Sequence, residues 1–215
     1  MINSKNYWEK HKLKKSYTSA NISLFRFLGE YGFRFKNKKV LELGFGHGAN
    51  LIEFYKRKSN TYGIDINLEA VLVLSKKLSK KKLKQADLRK DKIPFKEKFD
   101  LIFSNDFIYY LNKDELQFHF ESISKSLKKR GIYLFQFIEN DFVLPKKILS
   151  YDFSKRIYIK KFSEKYNPIT FYKLQYFEKI IKKFKFNLIG KKFVIESYGI
   201  NEKKIRINKY LLISK

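Results

Sequence analysis

One stretch constrains the fold more than any other: Val40-Leu41-Glu42-Leu43-Gly44-Phe45-Gly46-His47-Gly48-Ala49-Asn50. An apolar run with one acid inside it leads into three glycines that alternate with other residues, and then into a helical pattern. Physically, a buried strand ends in a turn stripped of side chains, where a ligand can touch backbone. A helix N-terminus follows, with unpaired N–H groups and a partial positive charge. Glu42 is notable because an acid inside an apolar strand is costly unless it is paired.

The rest of the chain repeats the strand–helix alternation. Helical spacing of Leu24, Phe25, Phe27, Leu28 and Tyr31 predicts a helix over Ser19–Tyr31, ending at Gly32. Strands are expected at Lys39–Leu43, Asn60–Asp65, Leu83–Asp87, Lys98–Ser104 and Gly131–Ile138, with helices at Ala49–Lys58, Leu68–Ser79 and Lys113–Lys128 between them. Short links between such elements argue for a parallel sheet covered on both faces. From Glu139 to Ile169 the alternation breaks into an aromatic, basic stretch carrying Phe142, Tyr151, Phe153, Tyr158, Phe162 and Tyr166. Thr170 is expected to cap a helix over Phe171–Phe184. Leu188–Ile195 and Ile205–Ser214 then read as an antiparallel strand pair about the turn-prone Tyr198-Gly199-Ile200-Asn201.

A chain of 215 residues with 44% hydrophobic content suits one α/β domain. The absence of cysteine excludes disulfides, thiolate catalysis and cysteine-based metal sites. No apolar run reaches membrane-spanning length and no signal-like core opens the sequence, so the expected location is cytoplasmic. The net charge of +27 raises a polyanionic partner such as RNA, or an anionic membrane surface. Against this, only seven of the 48 basic residues are arginine and the lysines run from Lys5 to Lys215, the pattern of a solvated surface in a compositionally biased chain.

Two ligand classes compete for the glycine turn. Gly44-Phe45-Gly46-His47-Gly48-Ala49 satisfies the permissive dinucleotide fingerprint, and Asp65, twenty-one residues after Gly44, fits an acid holding a ribose diol in either class. The surrounding residues resemble the class I S-adenosylmethionine-dependent methyltransferases. Glu42 to Gly48 is similar to that family's E/D-x-G-x-G-x-G signature, and Gly63-Ile64-Asp65-Ile66-Asn67 to its second motif. Ala86-Asp87-Leu88 is similar to its third, and Ile93-Pro94-Phe95 with Phe99-Asp100-Leu101-Ile102 to its approach to strand four. Ser104 to Leu111 resembles the fourth motif, and Leu127 to Leu134 the turn into strand five.

The resemblance spans residues 38–138 closely. It implies a Rossmann-like, doubly wound, mostly parallel seven-stranded sheet with an antiparallel C-terminal pair and helices on both faces. Within it, a 1–37 helical cap, a 38–138 cofactor-binding core, a 139–170 substrate lid and a 171–215 helix-and-hairpin unit form one domain. The implied cofactor is S-adenosylmethionine, with Glu42, Gly44, Phe45, Gly46, Gly48, Asp65, Ile66, Asp87, Leu88, Asn105 and Phe107 as its binding residues. Asp65 would meet the ribose hydroxyls and Asp87 the adenine amino group.

The acceptor is less constrained. Methyl transfer from a sulfonium is an in-line displacement, and a base is needed only for a hydroxyl of high pKa. His11, His119, Asp106 and Tyr110 are the candidates, and Asp106 or His11 is the expected base. His119 reads as a surface or packing residue, and His47 as part of the cofactor pocket. Three departures from the family's pattern stand out. Phe45 replaces a small residue, Tyr110 stands where relatives often carry histidine, and Asn105-Asp106-Phe107 lacks the prolines used on base amines. The expected reaction is methylation, chiefly O-methylation, of a small-molecule, glycan or lipid-type acceptor. RNA is the alternative, from the charge and from the aromatics interleaved with lysine over Tyr151–Phe171, and a nicotinamide-dinucleotide-binding or non-catalytic protein is a third reading.

Overall fold

The computed structural model describes residues 19–138, 157–160, 166–170, 172–198 and 204–215, with the backbone alone at 157–160, 166–169, 195–198 and 204–208. Its strands are β1 (Lys39–Leu43), β2 (Asn60–Asp65), β3 (Leu83–Gln85), β4 (Phe99–Ser104), β5 (Leu127–Ile138), β6 (Ile157–Lys160), β7 (Tyr166–Ile169), β8 (Asn187–Tyr198) and β9 (Lys204–Ser214). Its α-helices are α1 (Ile22–Glu30), α2 (Ala49–Lys56), α3 (Leu68–Leu74), α4 (Lys113–Ser126) and α5 (Leu174–Lys183). Seven strands form one sheet in the order β3-β2-β1-β4-β5-β9-β8, and β6 with β7 makes a separate hairpin. The first five strands are parallel, whereas β9 runs antiparallel to both β5 and β8. This is the expected Rossmann-like, doubly wound architecture with its antiparallel C-terminal pair.

The two faces are visible in the alternation along single strands. In β4, Ile102 points into one core while Leu101 and Phe103 point into the other; in β5, Tyr133, Phe135 and Phe137 face opposite to Leu134. Helices α1, α2 and α3 cover one face through Leu24, Phe25, Leu28, Leu51, Phe54, Val71 and Leu74. The apolar sides of α4 and α5, including Phe120, Ile123, Phe177 and Ile180, cover the other. Winding reverses between β1 and β4, so the crevice at their carboxyl ends is where an open α/β sheet receives a ligand.

Several boundaries differ from the sequence reading. Strand β5 begins at Leu127, directly after α4, because Leu127 already pairs with Phe99. A register shift with Arg130 in the left-handed region (φ 62°) then realigns the strand before Ile132. Helix α3 stops at Leu74 and gives way to turns, including a short 3-10 segment over Lys80–Lys82. Strand β3 ends at Gln85, which leaves Asp87 in the loop beyond it. Thr170 does not cap α5: Lys173 takes the N-cap position without a side-chain bond. The Thr170 backbone N–H is instead drawn to the Tyr109 carbonyl at 2.7 Å, and its buried hydroxyl has no partner among the described residues. His11 and the lid aromatics Phe142, Tyr151, Phe153 and Phe162 lie outside the described residues. Tyr158 and Tyr166 are described by backbone only.

Candidate active site

The carboxyl ends of β1, β2 and β4 frame a cleft whose wall includes Gly44 and Gly46 from the glycine turn and Asp65, Ile66 and Asn67 after β2. Asp87, Leu88 and Arg89 come from the loop after β3, and Asp106, Phe107, Tyr110 and Leu111 from the loop after β4. Eight of the residues expected at a ligand site are therefore brought together on one wall: Gly44, Gly46, Asp65, Ile66, Asp87, Leu88, Asp106 and Phe107.

Charge is the outstanding property of this wall. In a chain of 48 basic and 21 acidic residues, the lining carries three carboxylates (Asp65, Asp87, Asp106) and one cation, Arg89, which is itself paired with Asp87. The cleft is an acceptor-rich concavity in a basic surface, suited to a ligand that carries positive charge and N–H or O–H donors.

Each acid is held. Asp65 Oδ2 accepts from the Gly46 backbone N–H at 2.7 Å, and Oδ1 from the Asn67 N–H at 2.8 Å. Burial pushes its carboxyl up, and these bonds oppose the shift. For Asp87, burial also acts upward, but the Arg89 guanidinium overrides it and the group ends below its ordinary range. Asp106 sits in the left-handed region at φ 53°. Its N–H donates to Gln136 Oε1 at 3.0 Å, Tyr109 Oη donates to its Oδ1 at 2.9 Å, and Asn105 Nδ2 donates to its Oδ2 at 2.9 Å. A non-glycine residue persists in that conformation where its surroundings over-determine it.

The other expected residues stand behind the wall. Glu42 is 2% exposed in β1 and accepts from Asn50 Nδ2 at 2.8 Å, while its Oε2 has no hydrogen-bond partner among the described residues. Burial pushes its pKa up to about 8, with the Asn50 bond opposing. Phe45 is in the core, its ring filling the space that a side chain at Gly63 would take, 2.7 Å from a Cβ placed there. Gly48 starts α2 at φ 73°, and a Cβ on it would stand 2.5 Å from Leu74. Asn105 accepts from Asn21 Nδ2 at 2.8 Å. His119 is buried with Nε2 2.8 Å from the Tyr133 hydroxyl, and burial drops its pKa to about 3. That neutral ring packs behind Phe107 as a core residue.

Sequence reasoning did not single out Asn67, Ala86 or Arg89 as lining, nor Leu111. Asn67 was within reach as the N-cap of α3, accepting from the Ala70 N–H. Arg89 carried no signal, since its pairing depends on how the loop after β3 turns.

With this geometry in view, comparison with known proteins is informative. A family described as "Methyltransferase domain" matches residues 40–131. Residues 40–131 carry this methyltransferase domain. No curated protein matches the chain by sequence. Among solved structures, the fold is similar to an S-adenosylmethionine-dependent methyltransferase from Clostridium acetobutylicum (20% identity, 89% of this chain and 88% of that one, TM-score 0.65). It is also similar to one from Methanosarcina mazei (13% identity, 92% and 98%, TM-score 0.70). A third is the 1,6-didemethyltoxoflavin-N1-methyltransferase of Burkholderia thailandensis, solved with 1,6-didemethyltoxoflavin and S-adenosylhomocysteine (11% identity, 89% and 75%, TM-score 0.61). The acid-lined wall and the glycine turn both lie within or beside the matched methyltransferase domain. Among the described residues no helix is long and apolar enough to cross a membrane.

Proposed function

We propose that this methyltransferase acts on a small-molecule or lipid- or glycan-type acceptor, using Asp106 to draw a proton from an acceptor hydroxyl. The cofactor is S-adenosylmethionine, which supplies a methyl group activated on a sulfonium. The observation that carries the reading is the acid-rich wall in a strongly basic protein. A sulfonium, an ammonium, a ribose diol and an adenine amine are all cations or donors, and the wall answers with acceptors. A dinucleotide pyrophosphate would want free N–H groups, yet the Gly46 N–H is already given to Asp65.

Asp65 would take the ribose hydroxyls and Asp87 the adenine amine, with Ile66, Leu88 and Phe107 as apolar walls. Gly44, Phe45, Gly46 and Gly48 shape the turn around the methionyl end. Glu42, with an orphaned buried oxygen, and Asn105 stand behind it. His11 is the alternative base. The basic surface does not extend onto the wall, where Arg89 is the one cation among the described lining residues and is paired. That favours a small acceptor over RNA.

The cofactor is tested by thermal shift. S-adenosylhomocysteine at a hundredfold excess over its Kd is expected to stabilise the protein by about 2.7 kcal/mol, with no effect of NAD. The acceptor class is tested by incubating the protein with labelled methyl donor and fractionated lysate. Label in small solutes or lipid supports the proposal, and label confined to RNA rejects it.

A further inference from the structure

Arg89 lines the cleft, with its side chain 16% exposed, and grips both oxygens of the acid two residues before it. Its Nε donates to Asp87 Oδ1 at 2.8 Å and its Nη2 to Oδ2 at 2.8 Å, the forked pairing that the planar guanidinium favours. The Arg89 backbone N–H adds a third donor to Oδ1 at 3.3 Å. The loop is closed around this pair. The Asp87 N–H donates to Asp91 Oδ2 at 2.8 Å, and the Lys90 and Asp91 N–H groups return to the Asp87 carbonyl at 3.0 and 2.8 Å.

A carboxylate offers about four acceptor positions. Among the described residues two donors fall on Oδ1 and one on Oδ2, so Oδ2 keeps one open position. An aspartate without the fork would turn freely about its last torsion, which is broad and roughly two-fold. Here that rotation is stopped on a side chain that is 8% exposed in the cleft wall.

We infer that Arg89 is a specificity-determining positioning residue, whose fork on Asp87 leaves one acceptor on Oδ2 for the 6-amino group of the cofactor's purine. The inference rests on the assignment of Asp87 to the adenine end. A 6-amino purine brings a donor to that oxygen. A 6-oxo purine brings an acceptor to an acceptor and is disfavoured. Lysine would restore the charge but not the fork.

The test measures binding of S-adenosylhomocysteine and of its deaminated analogue, S-inosylhomocysteine, by calorimetry on the full chain and on Arg89→Ala and Arg89→Lys. The parent is expected to prefer the 6-amino ligand by at least about tenfold, as a site built around a specific hydrogen bond does. Arg89→Ala is expected to lose about tenfold in S-adenosylhomocysteine affinity and to fall within about threefold between the two ligands. Arg89→Lys should lie between, and it carries the test if the alanine variant does not fold. A parent that binds neither nucleoside rejects the cofactor reading. A parent that binds the 6-amino ligand, with a variant whose preference is unchanged or whose two affinities fall equally, rejects the role of Arg89 alone.

Discussion

Asn50 donates its side-chain amide to Glu42 Oε1 at 2.8 Å, while Glu42 Oε2 stays buried with no hydrogen-bond partner among the described residues. A carboxyl held this way favours its neutral form, and its pKa rises from 4.5 to about 8. Such a group contributes stability that is fully present below about 4.5 and is lost as pH rises through about 8. Glu42→Gln keeps the shape and never ionises. The variant is expected to match the parent near pH 5 and to exceed it by roughly 2–4 kcal/mol at pH 9, a shift of this size discounted for relaxation. Urea unfolding of both proteins across that range checks this, because other titrations cancel in the difference. Equal stability at pH 9 would sink the idea. If Glu42 also faces the methionyl ammonium, the same variant binds S-adenosylhomocysteine more weakly, most visibly at high pH.

His119 gives the opposite acid–base signature. Its folded pKa, about 3, lies below the ordinary 6.5 because the ring is buried. Stability from this group is present above about 6.5 and lost as pH falls toward 3, as the unfolded state takes up the proton. His119→Leu is expected to flatten the acid side of the stability curve while losing about 1 kcal/mol near pH 7 for the bond to Tyr133. Parallel acid slopes in the two proteins would reject this account. Tyr133 keeps its Ser104 contact at 3.0 Å in either case.

Particular residues show how far the sequence could be read. The parallel core was legible because Val40, Leu41, Leu101 and Ile102 form apolar runs that only a sheet covered on both faces can bury. Asp65 was legible as a wall residue because an acid ends its strand, and Asp87 because its motif marked it, although β3 stops two residues earlier at Gln85. Phe45 was not legible as a core residue, since its place depends on the gap above Gly63, a contact across two strands' ends. Nor was Arg89, whose partner is fixed by a turn that no period encodes. Thr170 looked like a cap by residue type, but tertiary bonding to Tyr109 took its backbone elsewhere.

Asn21 joins parts of the chain that are far apart in sequence. Its side-chain oxygen caps α1 through the Leu24 N–H, its backbone N–H donates to Asn50 Oδ1, and its amide donates to Asn105 Oδ1 and the Tyr210 hydroxyl. Through Asn50 and Asn105 it connects Glu42 to Asp106, its backbone N–H reaching the first asparagine and its side-chain amide the second. Asn21→Ala removes a cap and leaves several groups short of a partner, and a loss of about 2 kcal/mol is expected by chemical denaturation. Asn21→Asp, which retains the cap acceptor and loses the two donated bonds, should recover about half of it. A variant as stable as the parent would show that water replaces these bonds without cost.

Asp106 is the residue on which the acceptor chemistry turns. It lines the cleft after β4, both its oxygens accept bonds, and its backbone is held at φ 53°, a conformation that asparagine tolerates better than most residues. Asp106→Asn therefore keeps the loop in place while removing a group able to take a proton. With the labelled acceptor in hand, the expected result is unchanged S-adenosylhomocysteine binding and a fall in turnover of about 10²–10⁴-fold, the range for loss of a general base. The fall should shrink as pH rises and the acceptor hydroxyl ionises unaided. An acceptor nitrogen that is already nucleophilic would leave turnover within about threefold of the parent, and that outcome would rule out the O-methylation reading while leaving the cofactor assignment intact.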